Sequence, residues 1–113
     1  MTTNYRRGAD FERKVRTYFT KRGFVVFRSS GSRGPCDLVA LKAEEVTLIQ
    51  CRKNGRMNQA ERDSLAIVGH ELGCRVFLAW QGEKGIRLEE LEATKEEELR
   101  SEREPSWSEK TRR

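Results

Sequence analysis

Three polar residues stand out in two apolar segments near the middle of the chain. Asp37 opens the run Asp-Leu-Val-Ala-Leu, and Gln50 and Arg52 interrupt the second run, Val-Thr-Leu-Ile-Gln-Cys-Arg. If both runs are strands, alternation places Gln50 and Arg52 on one face and Cys51 on the other. An acid beside an amide and a guanidinium near the centre of a sheet is costly to bury unless the group has a function. The spacing leaves a second interpretation open, in which Asp37 pairs with Arg52 where the strands emerge into solvent.

Glu12 is a candidate for the same group, because it lies on a predicted helix that can pack on the sheet. Apolar residues at i, i+4, i+7 and i+8 predict an amphipathic helix over residues 8–22. They form one apolar stripe, which consists of Phe11, Val15, Tyr18 and Phe19. Glu12 lies at the border of the stripe and can therefore face the sheet. The alternative is an exposed helical Glu that pairs with Arg16 at i+4.

The elements that would position these residues follow from apolar runs and turn formers. β-Branched and aromatic runs predict strands over residues 24–27, 36–41, 46–52 and 75–80, and a short fifth strand over 85–88. The short turn at 42–45 indicates a hairpin. A capping box at 58–61 predicts a second helix that ends near Leu72, before Gly73. The order α-β-β-β-α-β-β predicts an α/β fold in which helices flank a mixed sheet.

The composition is that of one small domain with a charged extension. The chain has 113 residues, of which 35% are hydrophobic and 36% are charged, and this length leaves room for a single domain. Residues 92–113 contain few apolar groups. We therefore predict a folded domain over residues 1–91 and a charged tail over residues 92–113, the tail being a frayed helix followed by a disordered segment.

Targeting and cysteine patterns indicate an intracellular chain. No apolar run approaches the ~20 residues of a membrane span, and the N-terminal residues lack the apolar core of a secretory signal. Cys36, Cys51 and Cys74 are odd in number and lack CxxC spacing, which predicts free thiols in a reducing compartment. We therefore expect a cytoplasmic, nucleoid-associated protein with no membrane partner.

Positive charge is concentrated in the first half of the chain. Residues 1–56 contain thirteen Lys and Arg against five acids, in a chain whose net charge is +5. This excess favours a polyanion such as nucleic acid as the partner, because neutralising phosphates releases counterions.

Other kinds of functional site have little support in the sequence. The loop at 29–35 lacks the GK[ST] of a P-loop, and the chain's single His, His70, does not belong to a set of paired Cys and His residues such as zinc sites use.

Four short motifs follow one another in a specific order. They are Gly-Ala-x-x-Glu-Arg at 8–13, Arg-Ser-x-Gly-Ser at 28–32, Asp-Leu-Val-Ala at 37–40 and Ile-Gln-Cys-Arg at 49–52. Together they resemble the archaeal-type Holliday junction resolvases of the PD-(D/E)xK nuclease superfamily, over residues 5–91. The resemblance implies a restriction-endonuclease-like fold. It also implies a homodimer that uses a divalent metal to cut four-way DNA junctions symmetrically.

The resemblance further implies a role for each matching residue. Asp37 and Glu12 would ligate Mg²⁺, or Mn²⁺ in its place, together with Gln50 and the backbone carbonyl of Cys51. Ser32 matches a loop serine near the scissile phosphate. The implied DNA-binding residues are mostly basic and comprise Arg6, Arg7, Arg13, Arg28, Ser30, Arg33, Lys53 and Arg56.

Two positions depart from the family pattern, and both belong to the predicted catalytic group. Gln50 stands where the family usually has Glu, so one ligand is an uncharged oxygen. Arg52 stands where the family has Lys. Arginine stays protonated, so it can stabilise charge on a phosphoryl group but cannot act as a general base. Activity is therefore expected, and these two residues leave open whether it is lowered or retuned.

The sequence predicts a metal-dependent, structure-selective endonuclease that resolves four-way (Holliday) junctions by paired phosphodiester hydrolysis. Two alternatives stay open: a DNA-binding module of the same fold with impaired catalysis, and a repair endonuclease for flaps or duplex ends. The expected partners are branched DNA and a second copy of the chain, with no small-molecule substrate. A small core with an apolar second helix and the strand Arg-Val-Phe-Leu-Ala-Trp favours a homodimer, and two-fold symmetry suits paired cuts.

Overall fold

The computed structural model describes residues 4–29 and 36–103. The elements occur in this order: α1 (Asn4–Thr20), β1 (Val25–Arg28), β2 (Leu38–Lys42), β3 (Glu45–Cys51), α2 (Gln59–Leu72), β4 (Arg75–Gly82), β5 (Gly85–Glu90) and α3 (Lys95–Arg103). The predicted order α-β-β-β-α-β-β is confirmed. Helix α1 begins four residues earlier than its apolar stripe indicated, and α3 lies in the segment predicted as a tail. The final residues of that tail, 104–113, lie outside the described part of the chain.

The five strands form one mixed sheet in the order β1-β2-β3-β4-β5. Neighbouring strands are antiparallel except for β3 and β4, which are parallel. The predicted hairpin of β2 and β3 is confirmed, with Lys42 paired to Glu45 across its turn. A parallel pair requires a crossover connection, and α2 supplies it between β3 and β4. The helix therefore begins close to the carboxyl end of β3.

A hydrophobic core lies on each face of the sheet. Helix α1 covers one face, where its apolar stripe packs against residues of β2, β3 and β4: Phe11, Val15 and Phe19 against Leu38, Ala40, Ile49 and Ala79. Helix α2 covers part of the other face, where its buried residues Leu65 and Ala66 pack against the sheet. Their neighbours there are Leu48, Val76 and Leu78. The alternation predicted for β3 is confirmed, because Leu48 and Ile49 belong to opposite cores.

Local signals place both ends of α2 where the sequence predicted them. The N-cap Asn58 accepts a hydrogen bond from the backbone N–H of Glu61, and Gly73 closes the helix in the left-handed conformation with φ 67°. Between them, Gly69 allows α2 to approach β4 closely. A Cβ atom at Gly69 would lie 2.4 Å from Cγ2 of Val76. Any side chain there would push the C-terminal part of α2 away from the start of β4.

The α2 face of the sheet is only partly covered. Val25 pairs with Leu41, which pairs in turn with Val46, so these three side chains lie in one row across β1, β2 and β3. Phe27 lies in the next row. All four are exposed, from 37% for Leu41 to 59% for Val25. We call this patch of Val25, Phe27, Leu41 and Val46 the open sheet face.

The strand Arg-Val-Phe-Leu-Ala-Trp lies inside the sheet. It forms most of β4, which lies between β3 and β5. Val76, Leu78 and Ala79 are each at most 1% exposed, so these three side chains offer no apolar surface to a second chain. Among the described helices, none is both long and apolar enough to cross a membrane.

Candidate metal and phosphate site

A cavity of about 510 Å³ lies between the carboxyl end of β3 and the start of α2. Asp37, Gln50 and Arg52 all line it, together with Glu61 of α2. The structure therefore brings together the three polar residues that the sequence singled out first. We call this space the β3–α2 cavity.

Asp37 is held in the sheet although it precedes β2. Its backbone N–H donates to the carbonyl of Ile49 at 3.0 Å, and its own carbonyl accepts from Ser29 N–H at 2.8 Å. One carboxylate oxygen, Oδ2, accepts the backbone N–H of Cys51 at 2.8 Å. These three hydrogen bonds fix the carboxylate beside the end of β3, where Gln50 and Arg52 follow.

The Gln50 side chain is buried and uncharged. The residue is 9% exposed and lines the β3–α2 cavity, so its carbonyl oxygen is a candidate ligand for a group bound there. Carboxylate and amide oxygens are the donors that Mg²⁺ and Mn²⁺ accept in proteins. The donor set at this end of β3 therefore fits a hard divalent cation.

The end of β3 has few charged groups that could ligate a cation. Within residues 4–29 and 36–103, no group of three or more His, Cys, Asp and Glu side chains is arranged to hold a metal ion. The oxygens that line the β3–α2 cavity at this strand end include the carboxylate of Asp37 and the uncharged amide of Gln50.

Arg52 faces the β3–α2 cavity from just beyond β3. Its Nη2 lies 2.7 Å from Oε2 of Glu61, so its ion pair is with α2 and not with Asp37. Its backbone is fixed on both sides, because its N–H donates to the carbonyl of Ala79 at 2.9 Å and its carbonyl accepts from Gly55 at 2.8 Å. Gly55 has φ 73°, a left-handed conformation that favours glycine in this turn.

Glu12 occupies the α1 side of the sheet. Its side chain is 16% exposed, and its Oε1 lies 2.6 Å from Nε of Arg28. It does not line the β3–α2 cavity, and its ion-pair partner is on β1 and not at Arg16. Glu12 and Asp37 nevertheless both lie close enough to Cys51 to affect the ionisation of its thiol. The two carboxylates therefore flank the end of β3 from opposite sides.

Both cysteines of this region are protonated thiols. Burial, followed by the negative charges of Asp37 and Glu12, raises the pKa of Cys51 well above its ordinary value. Burial is also the largest cause of the raised pKa of Cys36, with Asp37 adding to it. A thiolate is the form that binds metals and attacks electrophiles. Neither side chain is therefore suited to either role at neutral pH, and the site depends on oxygen donors.

A second and larger depression, of about 720 Å³, lies on the α1 side. Arg13 and Lys14 of α1 line it with Lys53 from the turn after β3. Asp10 is the acid in its lining, and that carboxylate already pairs with Arg13 at 3.2 Å. We call this basic depression the α1 groove. It brings together Arg13 and Lys53, two of the predicted DNA-binding residues, and adds Lys14.

The other predicted DNA-binding residues are dispersed. Arg56 is exposed in the segment between β3 and α2, whereas Arg28 is engaged by Glu12. Arg6 and Arg7 lie in the first turns of α1. The remaining predicted residues lie outside the described part of the chain: Ser30, Ser32 and Arg33.

The sequence interpretation overlooked Glu61 as a site residue. It gave Glu61 only a capping role, which the structure confirms through the hydrogen bond of its backbone N–H to Asn58 Oδ1 at 2.9 Å. Its position three residues after a helix cap, and nine residues after Arg52, was the available signal. Only the packing of α2 beside the end of β3 shows that the carboxylate reaches Arg52.

Comparison with known proteins points to one family. The family model described as archaeal Holliday junction resolvase (Hjc) matches residues 3–104. The chain is 32% identical over 83 residues to the crossover junction endodeoxyribonuclease Hjc of Methanocaldococcus jannaschii. That match covers 70% of this chain and 62% of the relative, so the chain spans less than two thirds of the relative's length.

The fold has a counterpart among solved structures. It is similar to Archaeoglobus fulgidus Hjc, described as a Holliday junction resolvase from an archaeal hyperthermophile, with a TM-score of 0.63. The likeness covers 75% of this chain and 73% of that one, at 22% identity. At this identity the likeness concerns the fold, namely a five-stranded mixed sheet with flanking helices.

Proposed function

Because this chain belongs to the archaeal Holliday junction resolvase family, we propose that it is an endonuclease that resolves four-way DNA junctions with a divalent metal. The observation that supports the proposal best is the β3–α2 cavity, which combines Asp37, Gln50 and Arg52 at one strand end. Phosphodiester hydrolysis needs oxygen ligands for a metal ion and a positively charged side chain close to the same phosphate. An enzyme with this substrate works on chromosomal or viral DNA, so we also propose an intracellular location.

Each residue of the site has a proposed part in the reaction. Asp37, Gln50 and the carbonyl of Cys51 would hold Mg²⁺ or Mn²⁺, and Glu12 would join them from the α1 side by exchanging its ion pair with Arg28 for the metal. The metal would supply Lewis acidity when bound. Asp37 is held in place by the Cys51 N–H, so its carboxylate needs little reorganisation to bind a cation. Arg52 neutralises charge that develops on the phosphoryl oxygens.

DNA binding is proposed to use both sides of the β3 end. The α1 groove offers three cations and one acid that is already paired, which suits a phosphate backbone. Backbone contacts of this kind position DNA without reading its sequence. Arg56 is an exposed cation in the segment between β3 and α2 and is a further proposed contact. We retain Arg6, Arg7, Arg28, Ser30, Arg33 and Ser32 as proposed contacts.

The first experiment is cleavage of a labelled four-way junction with and without Mg²⁺. We expect two symmetric cuts that appear only with metal, and little cutting of a linear duplex of the same sequence. Junction binding without cutting at any Mg²⁺ or Mn²⁺ concentration would favour the impaired DNA-binding module. Equal cutting of flaps or duplex ends would favour the repair endonuclease.

We also propose that the protein is a homodimer formed through the open sheet face. Four exposed apolar side chains in two adjacent rows are an unusual feature for a free surface. A two-fold contact of this patch with a second copy would bury them, and two-fold symmetry suits paired cuts in a four-way junction. Helix α2 offers less apolar surface, since its Leu65 and Ala66 are buried against the sheet.

We expect Phe27→Asp to convert the dimer into monomers. Burial of a Phe side chain contributes roughly 1.5–3 kcal/mol, and a two-fold contact counts it twice, so the dimer dissociation constant should rise by ~10²–10⁴. Analytical ultracentrifugation across a concentration series measures this change. Leu72→Asp is the matched control, because Leu72 is 63% exposed on α2. Dissociation by Leu72→Asp and not by Phe27→Asp would place the interface on α2 instead.

A further inference from the structure

We propose that Glu61 is a positioning residue that aims the guanidinium of Arg52 at the scissile phosphate, an inference that rests on the proposed function. Glu61 lies in the first turn of α2 and lines the β3–α2 cavity together with Arg52. Its Oε2 lies 2.7 Å from Nη2 of Arg52.

The carboxylate of Glu61 is itself held in place by the helix cap. Its Oε1 accepts a hydrogen bond from Nδ2 of Asn58 at 2.9 Å, and its backbone N–H donates to Oδ1 of the same residue at 2.9 Å. Both carboxylate oxygens are therefore engaged, one by the cap and one by Arg52. Because the following turn of α2 is packed on the sheet through Leu65 and Ala66, the carboxylate is a fixed point for the guanidinium.

Arg52 is thereby held at both ends. Its backbone is hydrogen-bonded to Ala79 and Gly55, and its guanidinium is hydrogen-bonded to Glu61. A long side chain that moves freely loses rotamer entropy when it binds a phosphate. Because the ion pair already restricts the rotamers of Arg52, less entropy is lost on phosphate binding. Within the described residues only Nη2 is engaged, so the other guanidinium N–H groups remain available to phosphoryl oxygens.

Because position 52 is Arg where the family has Lys, the side chain must be oriented toward the phosphate. A guanidinium donates in a planar fork of fixed geometry, so its usefulness to a phosphate depends on its orientation more than that of an ammonium group. Glu61 supplies that orientation in the structure. The negative charge of Glu61 could instead serve the cation, in compensation for the neutral Gln50, and the experiment below separates the two roles.

The chain contains a matched ion pair that serves as the control. Arg62 of α2 pairs with Glu89 of β5 at 2.8 Å, and both side chains are partly exposed, as are those of Arg52 and Glu61. Neither Arg62 nor Glu89 lines the β3–α2 cavity. Glu89→Gln therefore removes an equivalent Arg–Glu pair between α2 and the sheet without touching the proposed site.

The experiment measures single-turnover junction cleavage across a Mg²⁺ titration for Glu61→Gln and Glu89→Gln. We expect Glu61→Gln to lower the maximal rate by about tenfold or more, since misplacement of a reacting group costs up to ~10²-fold. The Mg²⁺ midpoint and the junction dissociation constant should stay at the parent values, and Glu89→Gln should cut like the parent. In an Arg52→Ala background, Glu61→Gln should cause no further loss.

Three results would overturn the positioning role. Glu61→Gln could cut at the parent rate, its effect could multiply with that of Arg52→Ala, or it could shift only the Mg²⁺ midpoint. The last result would assign Glu61 to the cation.

A second measurement does not depend on cleavage. ¹⁵N relaxation of the Arg52 Nε–H group reports the order of its guanidinium, with Arg62 as the internal reference. We expect the order at Arg52 to fall in Glu61→Gln and the order at Arg62 to stay unchanged. Unchanged order at Arg52 would overturn the inference even if the parent cuts junctions. If the parent cuts no DNA, the proposed function fails, whereas a loss of order at Arg52 would still support Glu61 as its anchor.

Discussion

Asp37→Asn should abolish metal-dependent cleavage of a four-way junction while junction binding stays close to that of the parent. Asn retains an oxygen that can accept the Cys51 N–H, which Asp37 Oδ2 now accepts at 2.8 Å, so the local structure should persist. What the substitution removes is one of only two carboxylates in the proposed ligand set. Metal catalysis contributes several kcal/mol to phosphoryl transfer, so we expect a loss on the order of 10³-fold or more in rate.

The measurements for Asp37→Asn are single-turnover cleavage and the junction dissociation constant at fixed salt. Binding should survive, because affinity for DNA rests mainly on Lys and Arg contacts to phosphates. Gln50→Glu is the reverse substitution in the same cavity. It adds an anionic oxygen of nearly the same shape and should lower the Mg²⁺ concentration needed for half-maximal cutting. Cutting by Asp37→Asn at the parent rate would remove Asp37 from the site.

Arg52→Ala should slow cleavage by on the order of 10²–10³-fold, like the loss of one donor from an oxyanion hole. The guanidinium lines the β3–α2 cavity beside Asp37 and Gln50, and no change in metal ligands accompanies its removal. Arg52→Lys should recover part of the rate, because lysine keeps the positive charge but loses the planar fork.

The control for Arg52 is Arg56→Ala, an exposed cation four residues further along. It should weaken junction binding and reduce the salt dependence of affinity, while the rate at which bound junction is cleaved stays at the parent value. If Arg52→Ala cuts as fast as the parent and Gln50→Glu leaves the Mg²⁺ dependence unchanged, the hairpin of β2 and β3 is not the active site. The impaired DNA-binding module would then be the better description.

Much of the local architecture could be predicted because its causes are short-range. Alternation along β3 placed Gln50 on the face opposite Cys51, and the burial of Leu48 and Ile49 in opposite cores confirms that pattern. The ends of α2 followed from Asn58 and Gly73, whose backbone and side-chain preferences act within one helical turn. The start of α1 was placed too late, because its first turns lack the apolar stripe that guided the prediction.

The ion-pair partners of Glu12 and Arg52 could not be predicted, because they depend on which elements the sheet brings side by side. Sequence spacing offered Arg16 for Glu12 and left Asp37 open for Arg52. In the structure Glu12 pairs with Arg28 of β1, and Arg52 pairs with Glu61 of α2. Each of these pairs joins two different elements, so no helical or strand periodicity within one element could reveal it.

The amino-acid sequence by itself determined the order of elements, the faces of β3, the caps of α2 and the concentration of positive charge in the first half. All of these depend on interactions between residues close in the chain or on composition alone. Tertiary structure decided three further features: the parallel placement of β4 inside the sheet, the exposure of the open sheet face, and the meeting of α2 with the end of β3. These depend on one crossover connection and on the close approach at Gly69, because packing between distant segments selects among arrangements that local preferences leave equally available.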